Sequence, residues 1–246
     1  MSAFPTTHWS LLAKASLDGD TESRKSLEEL CRRYWGPVHR FIRARGVSEA
    51  EAQDLTQDFI VHLLEKSTFA RADRLRGRFR SFLLGALVRF LGDEADRRQA
   101  QKRGGAIHHV SFDAAEFKAD TEPAMAGGER ATLFDREWAL TILERALGRV
   151  RQEYAGTDRV SEFTVLKNFL PGAAPPPSYA AAAGQIGLSI PAFKSEVHRL
   201  RRRFRALVRE EVAQTVSAPH EIDAEMTHLQ RMLMDKGSEF DARHET

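Results

Sequence analysis

The stretch Tyr179 to Arg209 constrains the fold more than any other part of the chain. Ala180 to Ala183 are four consecutive helix-favouring residues, and Gly187 after them takes a left-handed turn conformation at little cost. The prediction is a short helix closed by a tight turn. A second helix follows, with Ser189 placed to cap its first N–H groups and Pro191 in the first turn, where a missing donor does no harm. Phe193, Val197, Leu200, Phe204 and Leu207 recur at steps of three and four, which makes one apolar stripe. The other faces carry Lys194, Arg199, Arg201, Arg202, Arg203, Arg205 and Arg209, with Ser195 and His198. A short helix, a glycine turn and a basic helix with an apolar rear read as a helix-turn-helix, a motif whose second helix enters the DNA major groove. The alternative is a solvated arginine-rich helix, which needs neither the Gly187-Leu188-Ser189 turn nor a packing partner upstream.

Charge is distributed in blocks. The net charge of +2 says nothing about partners, but residues 76–105 hold eight basic and three acidic side chains, and residues 190–211 hold seven and three. Residues 112–137 and 216–246 each reverse this, with seven acidic and three basic. Two basic blocks, separated and followed by acidic ones, predict two DNA-facing modules and intervening segments that avoid phosphate.

Upstream, Leu27, Leu30, Tyr34, Val38, Phe41 and Ile42 give a long amphipathic helix from residue 21 to residue 44, ended by Gly46. Cys31 lies on its apolar side, which predicts a packed thiol rather than a nucleophile. Ser48 with Glu51 forms a capping box ahead of Leu55, Phe59, Leu63 and Leu64, and the exposed face of that helix carries Asp54, Gln57 and Asp58. An arginine-rich loop leads into a helix striped by Phe79, Phe82, Leu83, Ala86 and Phe90, a spacing that fits core packing, and its end is the basic run Arg97 to Arg103. Residues 106–135, with Gly127-Gly128, Pro123 and scattered acids, read as an acidic linker. Periodicity resumes at Trp138, Leu140, Leu143, Leu147, Val150 and Tyr154, then Phe163, Leu166, Phe169 and Leu170, which should pack behind the Tyr179 to Arg209 pair. Ile222, Met226, Leu229 and Leu233 make a last amphipathic helix, with core packing as its default role and regulation or partner binding as the sharper one.

Two blocks of residues, in order, resemble the extracytoplasmic-function group of bacterial RNA polymerase sigma factors, within the sigma-70 superfamily. Tyr179-Ala180, Ile186-Gly187-Leu188-Ser189, Phe193-Lys194-Ser195 and the arginines beyond His198 resemble the family's region 4. Asp54-Leu55-Thr56-Gln57-Asp58-Phe59 resembles region 2.2, and Arg78 to Arg98 resembles regions 2.3 and 2.4, with Phe82 where a tryptophan is frequent and Arg89 where an asparagine is frequent. The resemblance implies an all-α chain of two small helical domains joined by a flexible linker. They are residues 21–105, gripping the polymerase β′ clamp and the melted −10 element, and residues 136–215, reading the −35 element beside the β flap. Residues 1–20 and a C-terminal extension, 216–246, flank them. Asp54, Gln57 and Asp58 become clamp contacts. Arg76, Arg78, Arg80, Arg97 and Arg98 become −10 contacts. Lys194, Ser195, Glu196, His198 and Arg199 face base edges or nearby phosphates, and Arg201, Arg202, Arg203 and Arg205 mainly bind backbone. Glu196 stands where the family often has a basic residue, and a carboxylate prefers to accept from cytosine N4.

The implied partners are core RNA polymerase and promoter DNA, with an anti-sigma factor as a further candidate; no cofactor, metal, membrane or small-molecule substrate is expected. His108 and His109 are adjacent and point apart, and no zinc-spaced or phosphate-loop pattern occurs, so catalysis is not expected. No apolar run approaches the roughly 20 residues that span a bilayer, and Met1 to Lys14 has no signal-peptide core. The expected location is the cytoplasm. A stand-alone helix-turn-helix regulator would need the basic helix but not the Asp54 to Phe59 surface, and a protein-binding module would need neither Lys194 nor Arg199.

Overall fold

A computed structural model describes residues 21–64, 78–103, 129–171 and 175–234. Their regular structure is entirely helical: α1 (Thr21–Arg43), α2 (Glu49–Leu64), α3 (Phe79–Arg103), α4 (Glu129–Ala155), α5 (Val160–Leu166) with a 3-10 turn at Lys167–Phe169, α6 (Tyr179–Gln185), α7 (Ile190–Ala213), a 3-10 turn at Pro219–Glu221 and α8 (Ile222–Met234). The first 20 residues, the loop bearing Arg76, the His108-His109 pair and most of the expected linker lie outside the described residues. None of the described helices is long and apolar enough to cross a membrane.

The chain forms two compact units, Met1–Thr141 with Ala213–Thr246, and Ile142–Val212. This partition corrects the expected boundaries. Residues 136–141 and 213–215 belong with the first unit, helix begins at Glu129, inside the expected linker, and α8 belongs to the first unit too, with Ile222 and Leu229 buried as its default core-packing role predicts. Aromatic packing is the reason. Trp138 stacks on Tyr34 with ring centroids 5.4 Å apart, and Phe134 meets Phe41 edge-on at 5.5 Å. Each of these rings is buried, and a buried aromatic of this size stabilises by roughly 1.5–3 kcal/mol.

In the first unit the apolar stripes of α1, α2 and α3 are buried where the spacing predicts, including Leu30, Val38, Ile42, Leu55, Leu63, Leu83 and Ala86. Phe79 and Phe82 are core residues, 5.9 Å apart, with Phe79 also stacked on Tyr34 at 5.0 Å. Gly46 has φ +80° and closes α1, after which Ser48 Oγ accepts from the Glu51 N–H at 3.2 Å. The Glu51 carboxylate, expected to complete the capping box, pairs with Arg98 instead. Cys31 is only half-buried, and burial pushes its thiol up, away from thiolate chemistry.

In the second unit Phe163, Leu166, Phe169 and Leu170 are buried as predicted, as are Ala182, Ala183, Phe193, Val197, Leu200 and Leu207, and the Phe169 and Phe193 rings meet edge-on at 5.1 Å. The expected leucine stripe of α4 is displaced by one position. Ile142, Ala146 and Val150 are buried at steps of four, while Leu143 and Leu147 lie on the partly exposed flank. Small alanines let helices approach closely, and a count of large apolar residues overlooks them.

A candidate nucleic-acid interface on α7 and a polar face on α2

Local chemistry builds the α6–α7 pair. Ser178 precedes α6, and its Oγ accepts from the Ala181 N–H at 3.2 Å. The turn closes through the Leu188 N–H, which donates to the Ala183 carbonyl at 3.0 Å, with Gly187 at φ +67°. Ser189 Oγ then accepts from the Ala192 N–H at 3.4 Å, opening α7. Behind the turn Phe169, Tyr179 and Phe193 form a ring triad with centroids 5.0, 5.1 and 5.9 Å apart, and Lys194 Nζ lies 5.7 Å from the centre of the Tyr179 ring. Gly187→Ala is expected to destabilise the second unit by about 1–2 kcal/mol, the strain of a left-handed alanine. A Cβ there meets nothing within 4 Å, so thermal melting reads the backbone term alone.

The polar residues of α7 separate into two sets. Ser195, His198, Arg202 and Arg205 follow one another at steps of three and four on the face opposite the Phe193-Val197-Leu200 stripe, and all four are exposed. His198, Arg202 and Arg205 make no hydrogen bond or ion pair with other described residues, and Ser195 Oγ donates back to the Pro191 carbonyl at 3.1 Å. Lys194 borders this ridge and is exposed. The second set is held by the protein itself. Arg201 Nε donates to the Phe169 carbonyl at 2.8 Å, and Arg203 Nε reaches both Glu153 oxygens at 3.0 and 2.9 Å.

Glu196 requires a correction. Its side chain is 14% exposed, pairs with Arg199, and lies 3.4 Å from Arg159 Nη2, so it braces α7 against the start of α5 rather than facing a base. Arg199 is correspondingly engaged at one end of that brace, although its side chain remains 68% exposed.

Two carboxylates of this unit sit below their ordinary values, Glu153 because Arg203 hydrogen-bonds it and Glu162 because Arg159 does, each outweighing the opposing cost of burial. A depressed folded-state pKa stabilises the fold above the unfolded value of 4.5 and ceases to do so as pH falls through the folded value. The second unit is therefore expected to lose stability on acidification below about pH 4.5. Glu153→Gln together with Glu162→Gln should flatten that dependence in a melting series.

In the first unit the expected arginines also divide. Arg76 lies outside the described residues. Arg97 and Arg98 are solvent-facing near the end of α3, in surface pairs with Glu94 and Glu51 that are worth little and exchange readily for phosphate. Arg78 is one-third exposed at the start of α3. Arg80 is not available to DNA, which corrects the expectation: it is 5% exposed and pairs with Asp135 and, through Nε at 3.0 Å, with Glu225. Burial disfavours its charge, but the two carboxylates outweigh burial and hold the guanidinium above its ordinary value. His228 Nε2 lies 2.6 Å from the other Asp135 oxygen.

On α2, Asp54, Gln57 and Asp58 are exposed and engage no other described residue. Val61 completes their face and is 59% exposed. Sequence reasoning missed it, although it follows Gln57 and Asp58 at steps of four and three and puts an apolar group where a solvated face carries a polar one. Acids around one exposed valine suit a basic partner with an apolar centre.

Compared with models of known protein families, with curated proteins and with solved structures, the chain matches none.

Proposed function

We propose that the protein is a promoter-specificity subunit of bacterial RNA polymerase, a sigma factor of the extracytoplasmic-function type. The observation that most supports this reading is the exposed ridge Ser195, His198, Arg202 and Arg205, whose His198, Arg202 and Arg205 engage no other described residue, presented by a helix whose rear is locked to a glycine turn and a capped short helix. A basic, exposed helix face with a rigid support has the form needed to enter a major groove. The sequence order of the two resembling blocks then selects a sigma factor over a stand-alone regulator.

In this reading Lys194, Ser195 and His198 meet base edges of the −35 element. Arg202 and Arg205 neutralise phosphates, while Arg201, Arg203 and Glu196 keep α7 in position. Arg97, Arg98 and Arg78 line the path of the −10 strand along α3. Opening DNA without ATP requires that the unpaired strand be bound more tightly than the duplex, which cations along a groove achieve when bases are held apart. The α2 face docks on the β′ clamp, with Val61 at its centre and the acids steering the encounter.

Asp54→Lys with Asp58→Lys tests the docking half. Core-polymerase affinity, measured by titrating labelled protein, should fall roughly tenfold or more, because like charges at an interface cost several kcal/mol. Duplex binding by α7 should be unaffected. Unchanged core affinity would remove the α2 face from the mechanism, and tight duplex binding without core enzyme would favour a stand-alone regulator.

A further inference from the structure

The chain beyond α7 is built into the first unit at the point where α3 begins. The Phe79 N–H, left without an intrahelical partner by its place at the helix start, donates to the Thr215 carbonyl at 3.0 Å. Thr215 and Val216 are buried, and Arg33 Nη1 donates to Gln214 Oε1 at 2.7 Å. Glu221 Oε2 then accepts from the Ser217 and Ala218 N–H groups at 2.9 and 3.0 Å and turns the chain into α8, which seats Ile222 and Leu229 in the core. One helical turn further, Glu225 is 0% exposed and faces two guanidiniums: Arg80 Nε is 3.0 Å from Oε1, and Arg78 Nε is 3.0 Å from Oε2.

We propose that α8 is a tethered competitor of nucleic acid, with the Glu225 carboxylate holding Arg78 as a strand phosphate would. The proposal rests on the reading of α3 as the helix that tracks an unpaired strand. A carboxylate and a phosphate present the same pair of acceptor oxygens to a guanidinium, so one excludes the other. Arg78 is suited to exchange because a third of its side chain reaches solvent, and the Glu225 Oε2 that faces it makes no directed hydrogen bond. Arg80 is suited to stay. When α8 lifts, Arg80 keeps Asp135, so that buried pair survives, while Glu225, the His228 contact to Asp135 and the apolar side chains of Ile222 and Leu229 go to water, a cost the strand's contacts must exceed. The acidic tail thus occupies part of the strand path until DNA displaces it.

The test uses the full chain bound to core polymerase and a labelled 12-nucleotide single strand. Glu225→Gln should bind about fivefold tighter than the native chain near 0.1 M salt, with a salt slope steeper by roughly 0.7, the contribution of one added phosphate contact. Glu28→Gln, which removes the same charge from an exposed position on α1, should not, and Arg78→Ala in the Glu225→Gln background should cancel the gain. Linkage supplies a measurement that needs no variant: if strand and α8 compete, saturating strand must speed amide exchange in residues 222–234 of the native chain. Unchanged exchange there, or equal affinities and slopes for Glu225→Gln and Glu28→Gln, overturns the competitor and leaves the proposed function standing. Failure of every form to bind the strand in the presence of core polymerase overturns both.

Discussion

Arg80→Ala is expected to lower the stability of the first unit by about 3–5 kcal/mol, the cost of leaving buried carboxylates without their counter-charge. For a chain of this size that corresponds to a fall in melting temperature of roughly 6–20 °C. Asp135 and Glu225 are 5% and 0% exposed, so water cannot replace the guanidinium. His228 and Arg78 remain, but each reaches only one of the two carboxylates. Arg80→Lys should fall between, since an ammonium keeps the charge and loses the fork that reaches Asp135 and Glu225 together. Arg97→Ala is the contrast: its pair with Glu94 is on the surface, and melting should shift by no more than about 1 kcal/mol. A melting temperature for Arg80→Ala within a degree or two of the native chain would contradict the buried network.

The second large effect concerns DNA. Arg202→Ala combined with Arg205→Ala should weaken duplex binding roughly hundredfold near 0.1 M salt and reduce the salt slope by about two, because each phosphate contact contributes about 0.9 to that slope. The loss should be similar for every sequence. Arg201→Ala combined with Arg203→Ala removes the same charge from the same helix, yet these side chains are tied to the Phe169 carbonyl and Glu153. Its expected effect is on melting of the second unit, with a slope change well under that of the ridge pair. Lys194→Ala should instead relax preference at one base position, a loss of about 1–3 kcal/mol of discrimination. Equal salt slopes for the two double variants, measured by fluorescence anisotropy, would remove the distinction between ridge and brace.

The features legible in the sequence are those decided within a few residues. The alanines, Gly187, Ser189 and the stripe from Phe193 to Leu207 determine α6, its turn and α7, and each agrees with the next. The stripes of α1, α2 and α3 are equally local. What the sequence conceals depends on distant partners. Arg80 belongs to a basic block, and its burial follows from Asp135 and Glu225, 55 and 145 residues away. The same carboxylates, with the Tyr34–Trp138 stack, draw the start of α4 and all of α8 into the first unit; periodicity predicts that α8 packs on a core, but not on which one. Glu196 reads as a base-facing carboxylate until Arg159 is brought beside it by the turn before α5. Val61 is visible in the sequence only as one valine among polar residues, and it gains meaning from a face that the fold leaves uncovered.

Run-off transcription tests the sigma-factor proposal most directly. The protein is combined with bacterial core RNA polymerase on a pool of promoter-bearing fragments from its own genome. Transcripts that appear only when it is added, share upstream −35 and −10 elements, and disappear with Arg202→Ala/Arg205→Ala are the predicted result. No added transcripts, together with tight duplex binding in the absence of core enzyme, would contradict the proposal and make the protein a stand-alone helix-turn-helix regulator.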